Sequence, residues 1–179
     1  MAIDRKFPYW VATVYCNGGC KAINKVNNQG MTCEEAMKLY TGDPLECAYG
    51  CLGCGSCVSV CEYDAIHINA NGVAEVDEDK CVNCGACINK CPRKIIRSRL
   101  QDNSMTPLCS NKEKGVVARK QCSASCLGCT MCEKKCPADA IHVVDFCAVV
   151  DDEKCLSCGM CVTVCPRNVI VDKKGVVLK

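Results

Sequence analysis

Aromatic side chains are scarce. The 179 residues include two Phe, one Trp and five Tyr. Eight rings cannot fill a conventional core of this size, so something other than large side chains must hold the interior together. Neither sign of charge dominates, with 22 basic residues against 20 acidic ones. That balance argues against a nucleic-acid or anionic-membrane partner. No run approaches the roughly 18 apolar residues of a membrane helix, so membrane insertion is not expected. The opening MAIDRKFPYW has neither the apolar region nor the small-residue cleavage site of a signal peptide. There is no G-x-G-x-x-G, P-loop or nucleophile motif, so no catalytic residue and no nucleotide site are expected. Disorder is excluded by a hydrophobic content of 49%.

What the chain has instead is 23 cysteines, a share far above that of an ordinary globular domain. The count is odd and the cysteines fall in tight threes. A secreted disulfide scaffold would favour an even count and spread spacings. Reduced thiolates committed to metal, in a cytoplasmic protein, fit better.

Cys51, Cys54, Cys57 and Cys61 give the spacing C-x2-C-x2-C-x3-C. It returns at Cys81, Cys84, Cys87 and Cys91, at Cys126, Cys129, Cys132 and Cys136, and at Cys155, Cys158, Cys161 and Cys165. The first and third runs are 75 residues apart at every cysteine, the second and fourth 74. CLGCGSCVSVCEYDAIHI thus mirrors CLGCTMCEKKCPADAIHV: a duplicated unit, each copy with its own internal duplication. Between paired runs, Ile66-His67-Ile68 leads through Asn71-Gly72 to Val73–Val76, a hairpin signal. Ile141-His142-Val143 and Ala148-Val149-Val150 repeat it with a tighter turn. Residues after each third cysteine, such as Val58 to Val60 or Val162 to Val164, suit a short helix.

The expected fold is therefore α+β, two tandem bacterial-type 2[4Fe–4S] ferredoxin-like units behind a cysteine-containing N-terminal segment. The expected division is 1–46 for that segment with a short helix, 47–98 for the first unit, 99–121 for a basic linker and 122–179 for the second unit. A unit of about 55 residues is marginal without a staple.

Three thiolates within seven residues wrap three irons of a cube, and in the bacterial ferredoxin pattern the fourth cysteine of each run ligates the other cluster. One [4Fe–4S] cluster is then expected on Cys51, Cys54, Cys57 and Cys91, and a second on Cys81, Cys84, Cys87 and Cys61. A third falls to Cys126, Cys129, Cys132 and Cys165, and a fourth to Cys155, Cys158, Cys161 and Cys136. Structural zinc is the competing reading. Zinc sites use separated Cys or Cys/His pairs, and only His67 and His142 are available. Each oxidised cluster with four thiolates adds about −2, which takes the formal +2 to about −6.

Seven cysteines remain: Cys16, Cys20, Cys33, Cys47, Cys109, Cys122 and Cys147. Cys147 reads as a small buried hydrophobe. Cys47 and Cys122 are repeat partners, each four residues before a run, and Cys16 and Cys109 are a candidate second pair at the start of the segment preceding each unit. Cys33 starts a helix, with Thr32 and Glu35 as capping box and Gly42 and Pro44 as its end, and its thiolate is favoured there. Cys16, Cys20, Cys33 and Cys47 are the candidate ligands of a fifth [4Fe–4S] cluster, with zinc or free thiols as alternatives. Cys109 and Cys122 alone cannot complete a site.

These features together resemble the long, clostridial-type B subunit of Rnf complexes, from about Val11 onward. The carriers are CNGGC at Cys16, TCEEA around Cys33, CAYGCLGCGSC at Cys47 to Cys57, LCSNKEKG with Cys109, and CSASCLGCTMCEKKCPADAIHV at Cys122 to Val143. The resemblance implies relay of low-potential electrons between ferredoxin and a flavoprotein that exchanges them with NADH. Such subunits usually begin with a membrane helix and a further cluster domain, which are not in this sequence, and often carry a non-cysteine at the position of Cys54.

The leading functional expectation is an electron-transfer subunit of a soluble oxidoreductase complex, with a flavoprotein or other redox subunit, and ferredoxin, as partners. A free-standing polyferredoxin is the alternative. A zinc protein, structural or nucleic-acid-binding, is the third class. His67 and His142 read as solvent-side strand residues rather than cluster-tuning ones. The basic residues from Arg93 to Lys120 are either a docking surface for an acidic partner or a solvated linker. Phe7, Tyr9, Trp10 and Tyr15 either anchor a partner or pack on the first unit.

Overall fold

The computed structural model describes residues 9–25, 29–39 and 42–175. Phe7 therefore lies outside the described residues. Two units of like design follow one another. In the first, β1 (Trp10–Val14) runs antiparallel to β4 (Ile96–Leu100), and β2 (Ile66–Ile68) forms a hairpin with β3 (Ala74–Val76). In the second, β5 (Met105–Pro107) pairs with β8 (Ile170–Asp172), and β6 (Ile141–Val144) with β7 (Cys147–Val150). This is the tandem ferredoxin-like α+β architecture that the repeat predicts.

Local patterning explains the hairpins. Ile66 is buried while His67 beside it is exposed, as strand alternation requires. The tighter β6–β7 turn is made by Asp145 and Phe146, at φ 47° and 61°. Two left-handed central residues match the twist of the flanking strands.

The outer strand pairs change the expected division of the chain. β1 belongs to the first unit and β5 to the second, so neither 1–46 nor 99–121 stands apart. Each strand leads to a cysteine two residues past its end, Cys16 after Val14 and Cys109 after Pro107. The intervening residues bond alike: Tyr15 N donates to Ile95 O at 2.8 Å and Leu108 N to Val169 O at 2.9 Å. These pairings join segments far apart in sequence, which leaves no hairpin signal to read.

The helices are short. α1 (Cys33–Leu39) carries the expected capping box: Thr32 N donates to Glu35 Oε2 at 2.8 Å, and Glu35 N to Thr32 Oγ1 at 3.2 Å. α2 (Ala86–Lys90), α4 (Met131–Lys135) and α5 (Met160–Thr163) each contain the third cysteine of a run. They start earlier than expected. The first run has turns instead of a helix at 56–60. There Ser56 is engaged by α1, its Oγ donating to Glu34 at 2.7 Å and accepting from Cys33 N at 2.8 Å. α3 (Gly115–Gln121) lies in the segment expected to be a linker.

Each unit has its own core. The first packs Val11, Ala12, Ile66, Val73 and Ile96 with Cys57, Cys81, Cys87 and Cys91. The second packs Met105, Ile141, Ala148, Val169 and Ile170 with Cys109, Cys126, Cys132, Cys147 and Cys161. Neither cluster of core residues includes an aromatic ring, so thiol side chains take the place that rings would fill. Polar bonds join the units: Leu100 N donates to Asp152 Oδ2 at 3.2 Å, and Ser110 Oγ to Tyr15 O at 2.9 Å.

Arg99 is the largest of the fully buried side chains, at 1% exposure. Its guanidinium pairs with Glu78 and donates to Thr13 Oγ1 at 3.0 Å and Leu100 O at 2.8 Å. Removing one member of a buried pair strands the other charge and costs about 3–5 kcal/mol. Glu78→Ala should therefore lower the unfolding free energy of the metal-loaded protein by about 3 kcal/mol, the low end because Glu78 is 19% exposed. Asp64→Ala, which breaks an exposed pair with Lys80, should cost at most about 1 kcal/mol. Equal effects in thermal melts would show that Arg99 is not held by Glu78.

Candidate metal centres

The loop of each run is shaped by two left-handed residues. Two positions after the first cysteine stand Gly53, Asn83, Gly128 and Ser157, at φ 71°, 53°, 64° and 51°. Two positions before the third cysteine stand Gly55, Gly85, Thr130 and Gly159, again with positive φ. Thr130 is the one non-glycine residue of this second set, and a left-handed non-glycine residue costs about 1–2 kcal/mol. Alternating handedness turns successive N–H groups inward and makes an anion-binding concavity of the kind found at iron–sulfur sites. The N–H groups reach sulfur: Asn83 N donates to Cys81 Sγ and Gly128 N to Cys126 Sγ, both at 3.5 Å. The fourth cysteines accept from the residue four positions on, Ala65 to Cys61 at 3.4 Å, Ala140 to Cys136 at 3.3 Å and Val169 to Cys165 at 3.4 Å. Hydrogen bonds to ligand sulfur are one of the protein's levers on cluster potential.

The hairpins close over these loops. A Cβ at Gly128 would lie 2.9 Å from Phe146 O, and one at Gly53 would lie 2.4 Å from Gly72 O. Only glycine lets the two backbones approach this closely.

Three cavities show how the thiols group. Cys81, Cys84, Cys87 and Cys61 wall one, with Ala65, Ile66 and Val76 around them. Cys126, Cys129, Cys132 and Cys165 wall another, with Val143, Ala148 and Ile170. The structure thus brings together three cysteines of one run and the last of its partner. Cys155 lies within electrostatic reach of Cys136 and Cys158, and Cys161 within reach of Cys155, Cys132 and Cys158. The remaining cavity departs from the expected set. Its thiols are Cys51, Cys57, Cys91 and Cys33, while Cys54 is not among the lining residues. The Cys54 thiol turns to Leu52 O at 3.6 Å.

Burial pushes the Cys57 and Cys161 thiols up to about 12 and Cys87 and Cys132 to about 11. Neighbouring thiolates add to the shift. A cationic centre among them would favour the thiolates of these raised cysteines. Among the described residues, no three His, Cys, Asp or Glu side chains converge on one ion. Each of the three cavities instead gathers four thiols from separate loops, the donor set of a cubane cluster in the ferredoxin pattern. The residues present therefore fit [4Fe–4S] clusters.

The set Cys16, Cys20, Cys33 and Cys47 does not converge. Cys33 lines the cavity of the first run, with Cys51, Cys57 and Cys91, and exposed Cys20 points its Sγ at Asn71 Oδ1, 3.7 Å away. Cys16 lies within electrostatic reach of Cys51 and Cys109, and Cys47 within reach of Cys109 and Cys122. Cys147 is buried as expected and is also polar in role. It keeps its proton, donates to Cys109 O at 3.1 Å, and through its thiol lowers the Cys109 and Cys126 thiols below the ordinary cysteine range.

Other expected features have structural roles. His142 Nδ1 lies 3.3 Å from Glu133 Oε1. Arg93 pairs with Asp43, and Arg97 stacks 4.0 Å over the Tyr15 ring, which sets Tyr15 against its own unit. Exposed Arg119 and Lys120 remain on α3, with exposed Lys114 just before it, and Tyr9 and Trp10 are exposed.

Residues 48–97 match a 4Fe-4S dicluster domain family, residues 80–140 a second such family, and residues 148–171 the 4Fe-4S binding domain family. The B subunit of the Na(+)-translocating ferredoxin:NAD(+) oxidoreductase complex of Acetobacterium woodii is 43% identical over 146 residues, 80% of this chain and 44% of that protein. The B subunit of the ion-translocating oxidoreductase complex of Methanosarcina acetivorans is 35% identical over 154 residues, 84% and 56% of the two chains. That of the proton-translocating ferredoxin:NAD(+) oxidoreductase complex of Clostridium ljungdahlii is 40% identical over 142 residues, 79% and 50%. The chain spans about half the length of the curated relatives it matches.

Proposed function

We infer that this chain, a relative of the B subunits of ferredoxin:NAD oxidoreductase complexes, is an iron–sulfur relay between ferredoxin and a flavin- or NAD-linked redox partner. The observation that carries this reading is the grouping of run cysteines into four-thiol cavities, each closed by a cysteine from another segment. Cys81, Cys84, Cys87 and Cys61 hold one cluster, Cys126, Cys129, Cys132 and Cys165 a second, and Cys155, Cys158, Cys161 and Cys136 a third. The fourth is held by Cys51, Cys57, Cys91 and, in place of Cys54, Cys33. When bound, each [4Fe–4S] cluster takes up and gives up one electron.

The chain's own residues supply the rest. Inward N–H groups offset the negative charge of the thiolate sets. Ile66, Ile141 and Ile170, all buried, keep water from the inner faces. Cys84, Cys129 and Cys158 are exposed, which leaves an edge of three sites near the surface. The basic face of α3 is the docking surface for an acidic ferredoxin. Among the described residues no helix is long and apolar enough to cross a membrane.

Anaerobically purified protein should contain at least about sixteen irons and sixteen acid-labile sulfides per chain, four of each per cube. A value near eight would sink the duplicated-cluster reading. Reduced ferredoxin should bleach the visible absorption at a rate that falls with added salt, because surface charges are screened within about 10 Å at 0.1 M. A salt-independent rate would remove α3 as the docking surface. A chain that purifies alone and accepts electrons from ferredoxin without any flavoprotein bound would be a free-standing carrier instead.

A further inference from the structure

Four cysteines outside the cavities come from four separate segments and meet between the units. Cys16 follows β1 and Cys109 follows β5, while Cys47 and Cys122 each precede a run by four residues. A Cβ built on Gly18 would lie 3.5 Å from both Cys16 Sγ and Cys122 Sγ. Asn111 spans the other two: its backbone N donates to Cys109 Sγ at 3.5 Å and its Nδ2 to Cys47 Sγ at 3.3 Å. Cys47 is within electrostatic reach of Cys109 and Cys122, and Cys16 of Cys109. The set is two copies of one pair, one from each unit.

Each of the four sulfurs accepts a bond from the N–H two residues on. Gly18 serves Cys16 at 3.4 Å and Asn111 serves Cys109, while Tyr49 serves Cys47 and Ala124 serves Cys122. The same bond marks Cys81 and Cys126 in the cluster loops. Cys147, which belongs to no set, does the opposite and donates its own proton.

We propose that Cys16, Cys47, Cys109 and Cys122 hold a further [4Fe–4S] cluster at the junction of the two units. No three of these side chains converge on one ion, and the same holds for the thiols of the cluster cavities. The site lies beside both units' ligands: Cys51 N donates to Cys16 Sγ and Cys126 N to Cys109 Sγ, each at 3.4 Å. It therefore stands between the cavity of Cys51 and the cavity of Cys126.

This inference rests on the chain being a cubane-cluster protein, and metal analysis separates the two failures. Iron-free protein would end both readings. Sixteen irons per chain would end this one alone, and about twenty supports it, at four per cluster. One zinc beside sixteen irons would overturn the cluster assignment. In the full chain, Cys109→Ser with Cys122→Ser should remove about four irons, whereas Cys20→Ser should remove none. Should the double variant not fold, Cys16→Ser leaves three of the four thiolates and should give the EPR signal of one oxidised three-iron cluster. Twenty irons retained in the double variant, or no three-iron signal in Cys16→Ser, would place the ligands elsewhere.

Discussion

Chelation of iron under anaerobic conditions should abolish the cooperative thermal transition of the whole chain and its near-UV dichroism. The sheets are two-stranded and the strands three to five residues long, a size that is marginal in water without a further partner. The cores hold no aromatic ring and depend on cysteines at their centres. Those thiols lie on different loops. Cys61 closes the cavity of Cys81, Cys84 and Cys87, and Cys165 closes that of Cys126, Cys129 and Cys132. Loss of metal therefore cuts the crosslinks between the two halves of each unit, and leaves a core of small side chains around a void. Binding free energy at such centres is folding free energy. Restoring iron and sulfide should restore the transition. A metal-free chain that keeps native-like dichroism and a sigmoidal melt would show that the hydrophobic contacts of Val11, Ile66, Ile96, Ile141 and Ile170 suffice alone.

The parts of this molecule that are legible in the sequence are those set by local spacing. Run cysteines, the hairpins flanking Asn71-Gly72 and Asp145-Phe146, and the capping box at Thr32 all depend on residues within about ten positions of one another. Their geometry follows from period and turn chemistry. The β1–β4 pair is not legible, because Trp10 meets Leu100 across the whole first unit. Arg99 reads as linker charge in the sequence, yet its burial follows from that pairing. The same distance hides the ligand exchanges. Cys109 and Cys122 are too few for a site by themselves, because their partners, Cys16 and Cys47, lie in the other unit. One signal is available: Cys47 and Cys122 are repeat equivalents, and both stand outside the runs.

The first cavity carries the other large expected effect. Cys33→Ser should cost the chain one intact cluster, and Cys54→Ser should not. Cys84 and Cys129 occupy the positions equivalent to Cys54, and both line their cavities. Cys54 does not line its own, and Cys33 stands there instead. α1 places it. The Cys33 N–H is fixed on Ser56 Oγ at 2.8 Å, and Glu34 next to it accepts from the same hydroxyl at 2.7 Å and pairs with Lys90 at 2.8 Å. The start of α1 is thereby tied to the loop between Cys54 and Cys57. Cys51 and Cys57 both feel the Cys33 sulfur as a neighbouring negative centre. With three thiolates left, Cys33→Ser should lose one to four irons per chain and show a three-iron EPR signal, while the other clusters keep their spectra. Cys54→Ser should hold its full iron count and an unchanged spectrum. A full iron count in Cys33→Ser together with iron loss in Cys54→Ser would return the fourth ligand to the run. Iron loss in Ser56→Ala, smaller than in Cys33→Ser and with the thiols all present, would follow from a loosened α1 that no longer holds Cys33 at the cavity wall.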